Sequence, residues 1–201
     1  MFSIKSTLAA LALSFSAAFA VAPVAIAQGT TTIVIDQAVI MRDSKAGKDI
    51  QTKITAIEAA MERELKPVAD QLQAESQVIE EKTKGMTAEA IRADTALATQ
   101  VTAWVNKTQT FNRDRQIAAA DLQLTERKAW SDFYGGLRPV LQEVVNDRGA
   151  QIMLDRSQVI YTDPAVDATA AVISKLDIAM PTINVVRLSA QQAAAAAQTP
   201  Q

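Results

Sequence analysis

The segment IQTKITAIEAAMERELKPVADQL, residues 50–72, decides the fold of this chain. Its apolar residues recur three and four positions apart, the spacing that aligns them along one face of an α-helix. The pattern continues over residues 45–134, which contain only two glycines, Gly47 and Gly85, and one proline, Pro67. Two long helices are therefore predicted, with a reversal of the chain at Gly85.

The residues that flank these helices predict where each one begins. Ser44 can cap the first helix, and Thr87 can cap the second one after the turn at Gly85. Pro67 is expected to kink the first helix without ending it, because the apolar stripe continues at Val68 and beyond. The second helix is predicted to be interrupted at Gly135, Gly136 and Pro139 and to resume briefly over residues 137–147.

A hairpin of this length cannot bury its own apolar stripes in a compact core. Its surface is therefore expected to meet another chain, either a second subunit or a bound protein. The function must then lie in what the helices hold.

The amino terminus has the features of a cleaved export signal. Lys5 precedes an apolar run over residues 8–22, and Ala25-Ile26-Ala27 has the small-x-small pattern that signal peptidase accepts. Residues 1–27 are therefore predicted to be a signal peptide cleaved after Ala27, with the mature protein in the periplasm.

The composition excludes several classes of chemistry. The chain has no cysteine and no histidine, so the commonest neutral-pH base, nucleophile and transition-metal ligands are missing. The formal net charge of −2 gives no reason to expect a nucleic-acid partner. Residues 46–49 only superficially resemble a nucleotide loop, because Arg42 and Asp49 occupy positions that need glycine and Ser or Thr. No catalytic, cofactor or metal site is predicted, and a hydrolase with paired carboxylates is the least favoured reading.

Short strands are predicted on either side of the hairpin. Residues 30–36 form a β-branched run, and residues 151–155 and 158–161 are predicted to pair as a β-hairpin. A short helix is expected from Asp163 to Ala179, and a further possible strand over residues 182–186. The chain is thus predicted to be α+β, with a β-rich oligomerisation base from residues 28–43 and 137–188, a coiled-coil arm over residues 44–136 and a disordered tail over residues 189–201.

So small a base is expected to be completed by association, with the sheets of several chains merging into one sheet or barrel. The apolar residues assigned to the base and its subunit contacts are Ile33, Val34, Ile35, Ile152, Leu154, Val159 and Ile160.

The order and spacing of several motifs resemble the Skp/OmpH family of periplasmic chaperones. The motifs are Ile33-Val34-Ile35-Asp36, Ser44-x-x-Gly47-Lys48, the long hairpin and, after the strands of residues 151–161, Asp163-x-x-x-Asp167-x-Thr169. The resemblance covers essentially the whole mature chain.

The resemblance implies a homotrimer in which a β-barrel body joins three chains and three helical hairpins enclose a cavity. Members of this family act without ATP and hold unfolded outer-membrane β-barrel proteins, their clients, in that cavity. The arm departs from the basic character of the family, because residues 45–134 carry 13 basic and 14 acidic side chains. Contact with a membrane surface is therefore left open.

Met86 and Ile91, near the turn, are the candidates for client contact, because a hairpin tip has few neighbours against which to bury them. Packing within the turn is the competing interpretation for both residues. The alternative function is a secreted coiled-coil spacer that bridges envelope components through its tips.

Overall fold

The structure, a computed structural model, describes residues 30–189; the predicted signal peptide and residues 190–201 of the predicted tail lie outside that range. The helices and strands follow the chain in this order: β1 (Thr32–Ile35), α1 (Gln37–Asp43), α2 (Lys45–Thr83), α3 (Ala88–Ala93), α4 (Thr95–Asp147), β2 (Ile152–Asp155) and α5 (Thr169–Ala179). Two 3₁₀ turns, Arg156–Gln158 and Pro164–Val166, lie between β2 and α5. The α+β class with long helices is confirmed.

Two long antiparallel helices form the arm. α2 has 39 residues and α4 has 53, which at 1.5 Å per residue correspond to about 58 Å and about 80 Å. Trp104 of α4 donates a hydrogen bond from Nε1 to the carbonyl of Leu72 at 3.0 Å, and Lys82 near the end of α2 contacts Gln100. The first helix runs through Pro67 without ending, as predicted.

Side-chain caps define the ends of the arm helices. The Ser44 hydroxyl accepts a hydrogen bond from the Gly47 amide, and Thr87 accepts one from the Ala90 amide. Gly85 has φ of +78°, the left-handed conformation that the turn requires. The predicted Ser44 cap and the predicted reversal are therefore confirmed, whereas Thr87 caps the short helix α3 and not the long second helix.

The second helix of the arm starts later than the sequence predicted. Asp94 separates α3 from α4 and accepts a hydrogen bond from the Leu97 amide at 3.0 Å. The prediction of one continuous helix from Thr87 is wrong, because an aspartate with extended backbone offers its own N-cap at this point.

The base contains a two-stranded parallel sheet. β1 pairs with β2 in the register Thr32 to Ile152, and the whole arm is the crossover between the two strands. On the other side of β1, the amide of Ala168 donates to the carbonyl of Val34 at 2.8 Å. β1 therefore lies at the centre of the base.

The predicted β-hairpin over residues 151–161 is wrong. After β2, residues 156–158 form a 3₁₀ turn, and residues 159–161 are not in a strand. Asp155 causes the turn, because its carboxylate accepts hydrogen bonds from both the amide and the hydroxyl of Ser157. The described part of the base therefore contains less β structure than predicted.

The core lies where the arm enters the base. Its buried apolar residues come from β1, α1, α2, α4, α5 and the segment that follows α5. The largest contribution is a stripe at three- and four-residue spacing on α4: Phe133, Leu137, Val140 and Val144. This stripe explains why α4 continues through Gly135, Gly136 and Pro139. The predicted interruption there is wrong, because burial of the stripe outweighs the poor helix propensity of glycine and proline.

Residues 181–189, called the C-terminal strap here, follow α5 and lie against the arm. Ile183 is buried in the core, and Leu188 donates its amide hydrogen to the Thr125 hydroxyl of α4 at 2.9 Å. The strap has no strand partner among the residues that the structure describes and forms no strand, so the predicted strand over residues 182–186 is wrong. Its backbone groups bond to side chains of the arm instead of to a sheet.

A substitution of Gly47 tests the packing of α1 against α2. A methyl group at residue 47 would overlap the backbone carbonyl of Met41, so Gly47→Ala is expected to lower the free energy of unfolding by about 3 kcal/mol or more. Gly135→Ala is the matched control, since a methyl group there has open space and alanine is the better helix former by about 1 kcal/mol. Urea unfolding followed by circular dichroism measures both values. Equal effects of the two substitutions would contradict the packing described.

Candidate binding surfaces of the arm and the base

The tip of the arm consists of the Gly85 turn and α3. Met86 has 37% of its surface exposed, whereas Ile91 is half-buried. Lys82 and Gln100 join the ends of α2 and α4 just below the tip, at 2.9 Å. Of the two predicted contact residues, Met86 thus presents the more accessible apolar surface.

A shallow cleft lies between α2 and α4 in the outer half of the arm. Its volume is about 340 Å³, and Leu72, Trp104 and Phe111 provide its apolar lining. The indole of Trp104 is fixed by its hydrogen bond to Leu72, so the ring closes the seam at this level. Polar side chains such as Gln73 and Asn112 also line the cleft.

Apolar side chains are also exposed along the length of the arm. Val68 and Val78 of α2 are each 44% exposed, and Val105 of α4 is 38% exposed. Few apolar residues are buried in this part of the hairpin; among them are Met61, Leu72 and Leu97. The arm therefore offers several small apolar contacts that are spread along its surface.

Charges of both signs are interspersed along the arm, and several of them pair with each other. Lys66 and Asp70 are one turn apart on α2, at 3.0 Å. Lys107 of α4 crosses to Glu75 of α2 at 2.6 Å, and its hydrogen bond holds the pKa of the Glu75 carboxyl below its usual value. Such mixed pairs leave no field of one sign to attract a charged ligand over a distance.

The apolar residues assigned to the base fall into two groups. Ile33, Val34 and Ile35 of β1 are buried inside the chain, so they build the core of the base. Ile152 and Leu154, two positions apart on β2, are 43% and 37% exposed. Val159 is half-buried, and Ile160 is fully exposed beside the exposed Tyr161. The accessible apolar surface of the base thus lies on and after β2.

A polar cluster connects β2 to α5. The amide and side chain of Thr169, and next to them Arg156 at 3.0 Å, hold the pKa of the Asp167 carboxyl below its usual value. The Ser157 hydroxyl and amide lower the pKa of the Asp155 carboxyl in the same way. These hydrogen bonds join the loops between β2 and α5. They lower the two pKa values because each hydrogen bond favours the ionised carboxylate.

A model of a protein family described as outer membrane protein (OmpH-like) matches residues 31–176 of this chain. The match covers the strands, the whole arm and most of α5. The chain belongs to the OmpH-like family. This membership confirms the resemblance that the sequence motifs suggested.

A solved structure supports the fold of this OmpH-like chain. It is a crystal structure from Caulobacter crescentus CB15, described as that of an OmpH-like outer membrane chaperone, which is 24% identical in sequence and superimposes with a TM-score of 0.70. The alignment covers 81% of this chain and 93% of that chain. No curated protein matches this chain.

Sequence reasoning missed the exposed valines of the OmpH-like arm. Val68 was assigned to the apolar stripe of the first helix but was not named as an exposed residue, and it is 44% exposed. The signal available was its position directly after Pro67, where the helix loses a backbone hydrogen bond.

Residues 30–189 contain neither a cluster of metal ligands nor a membrane-spanning helix. Within this range no three His, Cys, Asp or Glu side chains are grouped so that they could hold a metal ion. No helix there is long and apolar enough to cross a membrane.

The lowered pKa values of Asp155 and Asp167 predict how stability depends on pH. A carboxyl group whose pKa is lower in the folded state stabilises the fold above the unfolded value of about 4, and this contribution is lost as the pH falls through the folded value. The free energy of unfolding is therefore expected to be level between about pH 7 and pH 5 and to decrease below about pH 4.

Asp167→Asn is expected to lower stability at pH 7 and to reduce the slope below about pH 4, because the charge that Arg156 and Thr169 favour is gone. Asp70→Asn removes the same charge from an exposed position on the arm. Urea unfolding at several pH values measures the slopes. A steeper slope in Asp167→Asn than in the parent chain would contradict the assignment.

Proposed function

We propose that this protein is an ATP-independent holdase chaperone of the periplasm. It binds unfolded outer-membrane β-barrel proteins in a cavity between the arms of a homo-oligomer, a trimer, and prevents their aggregation. Membership of the OmpH-like family supports the chaperone role, and the related Caulobacter crescentus structure is described as that of an outer membrane chaperone. The proposed periplasmic location follows from the predicted signal peptide.

The observation that carries the proposal is the surface of the arm. Its outer part exposes single apolar residues at separate positions, including Val68, Val78, Met86 and Val105, among paired charges of both signs. No single contact of this size binds tightly. A chain held by many of them at once is bound by avidity, and it is released stepwise when folding or membrane insertion removes its apolar segments.

Enclosure supplies the second part of the mechanism. Several arms around one client exclude other unfolded chains, which are the partners for aggregation. An enclosed space requires more than one arm, and this chain contributes one. The holdase activity is therefore proposed to depend on association through the base.

The surface on and after β2 is the proposed subunit interface. Within residues 30–189, β2 bonds to β1 on one side only, and Ile152, Leu154 and Ile160 add exposed apolar side chains next to its other edge. An exposed strand edge with apolar side chains favours pairing with another chain. Ile33, Val34, Ile35 and Val159 would support this interface from within the base.

The activity is tested by diluting a urea-unfolded outer-membrane β-barrel protein into buffer with the mature chain, residues 28–201, and no nucleotide. Light scattering is expected to be suppressed at about three chains per client. The variant Val68→Thr, Val78→Thr, Met86→Gln, Val105→Thr removes apolar surface and keeps side-chain size, so its affinity for the client is expected to fall about tenfold.

The reverse change provides the matched control for that variant. Thr55 and Thr110 are exposed on the same two helices, and Thr55→Val with Thr110→Val is expected to improve suppression of scattering. Circular dichroism confirms that each variant is folded. If neither the parent chain nor any variant suppresses the scattering, the holdase role is refuted. If all of them suppress it equally, the assignment of client binding to the exposed apolar residues is refuted.

The interface is tested with Ile152→Asp, Leu154→Asp, which places two charges on the exposed face of β2. The native mass at micromolar concentration is expected to fall from three chains to one, because a buried unpaired charge costs several kcal/mol. Val78→Asp is the control, since Val78 has nearly the same exposure as Ile152 and lies on the arm. Native mass spectrometry gives the result, and an unchanged mass in the β2 variant would exclude this surface as the interface.

A further inference from the structure

The C-terminal strap lies outside the part of the chain that the family model matches. That match ends at residue 176, within α5, and the strap begins at residue 181. The strap is extended along the groove between α2 and α4, and its side chains alternate. Ile183 is buried and Val185 is half-buried, whereas Asn184 and Val186 are exposed. This is the two-residue period of a β-strand.

The lower part of the groove binds the backbone of the strap. Asp49 of α2 accepts a hydrogen bond from the amide of Ile183 at 2.9 Å, and Lys53, one turn later, donates to the carbonyl of the same residue at 2.6 Å. The two side chains also pair with each other at 2.7 Å. Together they satisfy both polar backbone groups of one extended residue, and this requires no particular side chain there.

The upper part of the groove adds one backbone contact and one acidic subsite. The buried Thr125 hydroxyl accepts the amide hydrogen of Leu188 at 2.9 Å. Arg187 contacts Glu64 of α2 at 2.7 Å and Asp121 of α4 at 4.0 Å, so its guanidinium lies between the two helices. Asp121 is only 5% exposed. A basic side chain is therefore favoured at this level of the groove.

We propose that the groove between α2 and α4 is a binding site for extended peptide segments, which the strap occupies as a built-in competitor. The class of ligand is an extended segment with an aliphatic residue at the position of Ile183 and Arg or Lys four residues later. This inference rests on the proposed function and deepens it, because the sequences that form the strands of outer-membrane β-barrel proteins carry apolar residues at every second position, as the strap does at Ile183 and Val185.

The strap sets a threshold for binding at this site. It is part of the same chain, so it competes at a high effective concentration. A short single segment does not displace it, whereas a long client that also contacts the exposed residues of the arm gains enough affinity to do so. The groove thus selects chains that are unfolded over a long stretch.

The experiment uses the full mature chain with the strap released by substitution. In Arg187→Glu, Leu188→Pro, the glutamate is repelled by Glu64 and Asp121, and proline has no amide hydrogen for Thr125. The probe is a fluorescein-labelled peptide with the sequence of residues 182–189, TINVVRLS, followed by anisotropy. The double variant is expected to bind this probe at least about tenfold more tightly than the parent chain.

Two single substitutions serve as controls. Val186→Pro places proline in the strap at an exposed position, and Arg113→Glu reverses a charge on an exposed part of α4. Both are expected to bind the probe as weakly as the parent chain. Hydrogen exchange followed by mass spectrometry measures release of the strap directly, and faster exchange over residues 182–189 is expected in the double variant only.

Three results would overturn the inference. The first is equal binding of the probe by the parent chain and the double variant, and the second is binding by neither. The third is unchanged hydrogen exchange in the double variant, since this result would mean that Glu64, Asp121 and Thr125 do not hold the strap. The light-scattering assay separates this failure from failure of the proposed function. If the parent chain suppresses aggregation but the double variant does not bind the probe, the protein is a holdase that lacks this peptide-binding site.

Discussion

The attachment of the arm depends on the burial of one stripe of α4 in the base. Phe133, Leu137, Val140 and Val144 are each at most 3% exposed, and burial of side chains of this size contributes about 2 kcal/mol each. Trp130 packs edge-on against Phe133 with ring centroids 5.5 Å apart. No comparable concentration of buried apolar residues exists in the outer part of the arm, so the stripe determines where the hairpin is rigidly held.

The arm is well packed where it enters the base and sparsely packed in its outer part. This division is consistent with the proposed function. A holder of unfolded chains needs apolar surface that its own folding does not consume, and the outer arm leaves Val68, Val78 and Val105 partly exposed. The charges among them pair across and along the helices, as Lys107 does with Glu75. The arm therefore remains polar enough to stay in water while it retains weak apolar contacts.

Local signals in the sequence predicted the arm well because its structure is governed by local rules. Ser44 and Thr87 cap helices, Gly85 reverses the chain, and the three-and-four spacing gives two long helices. The competing cap at Asp94 is local too, but the apolar stripe nearby concealed it.

The base was predicted less well because long-range contacts decide it. Gly135 and Pro139 are poor helix residues on any local scale, and α4 continues through them only because the residues between and beyond them are buried. Residues 158–161 have the composition of a strand, but β2 pairs with β1 instead and Asp155 turns the chain away. The strap could not be recognised, since its partners, such as Asp49 and Thr125, are distant in sequence.

The parallel pairing of β1 with β2 also constrains the order in which the molecule assembles. Thr32 pairs with Ile152, 120 positions later, and β2, which completes the sheet, follows the end of α4. Contacts this distant in sequence form slowly, whereas a helical hairpin closes by local contacts. In a chain synthesised from its amino terminus, the two long helices can therefore form while β1 still lacks its partner. The apolar stripe of α4 that is buried in the base remains exposed to solvent until β2 and α5 have been synthesised and have packed against it.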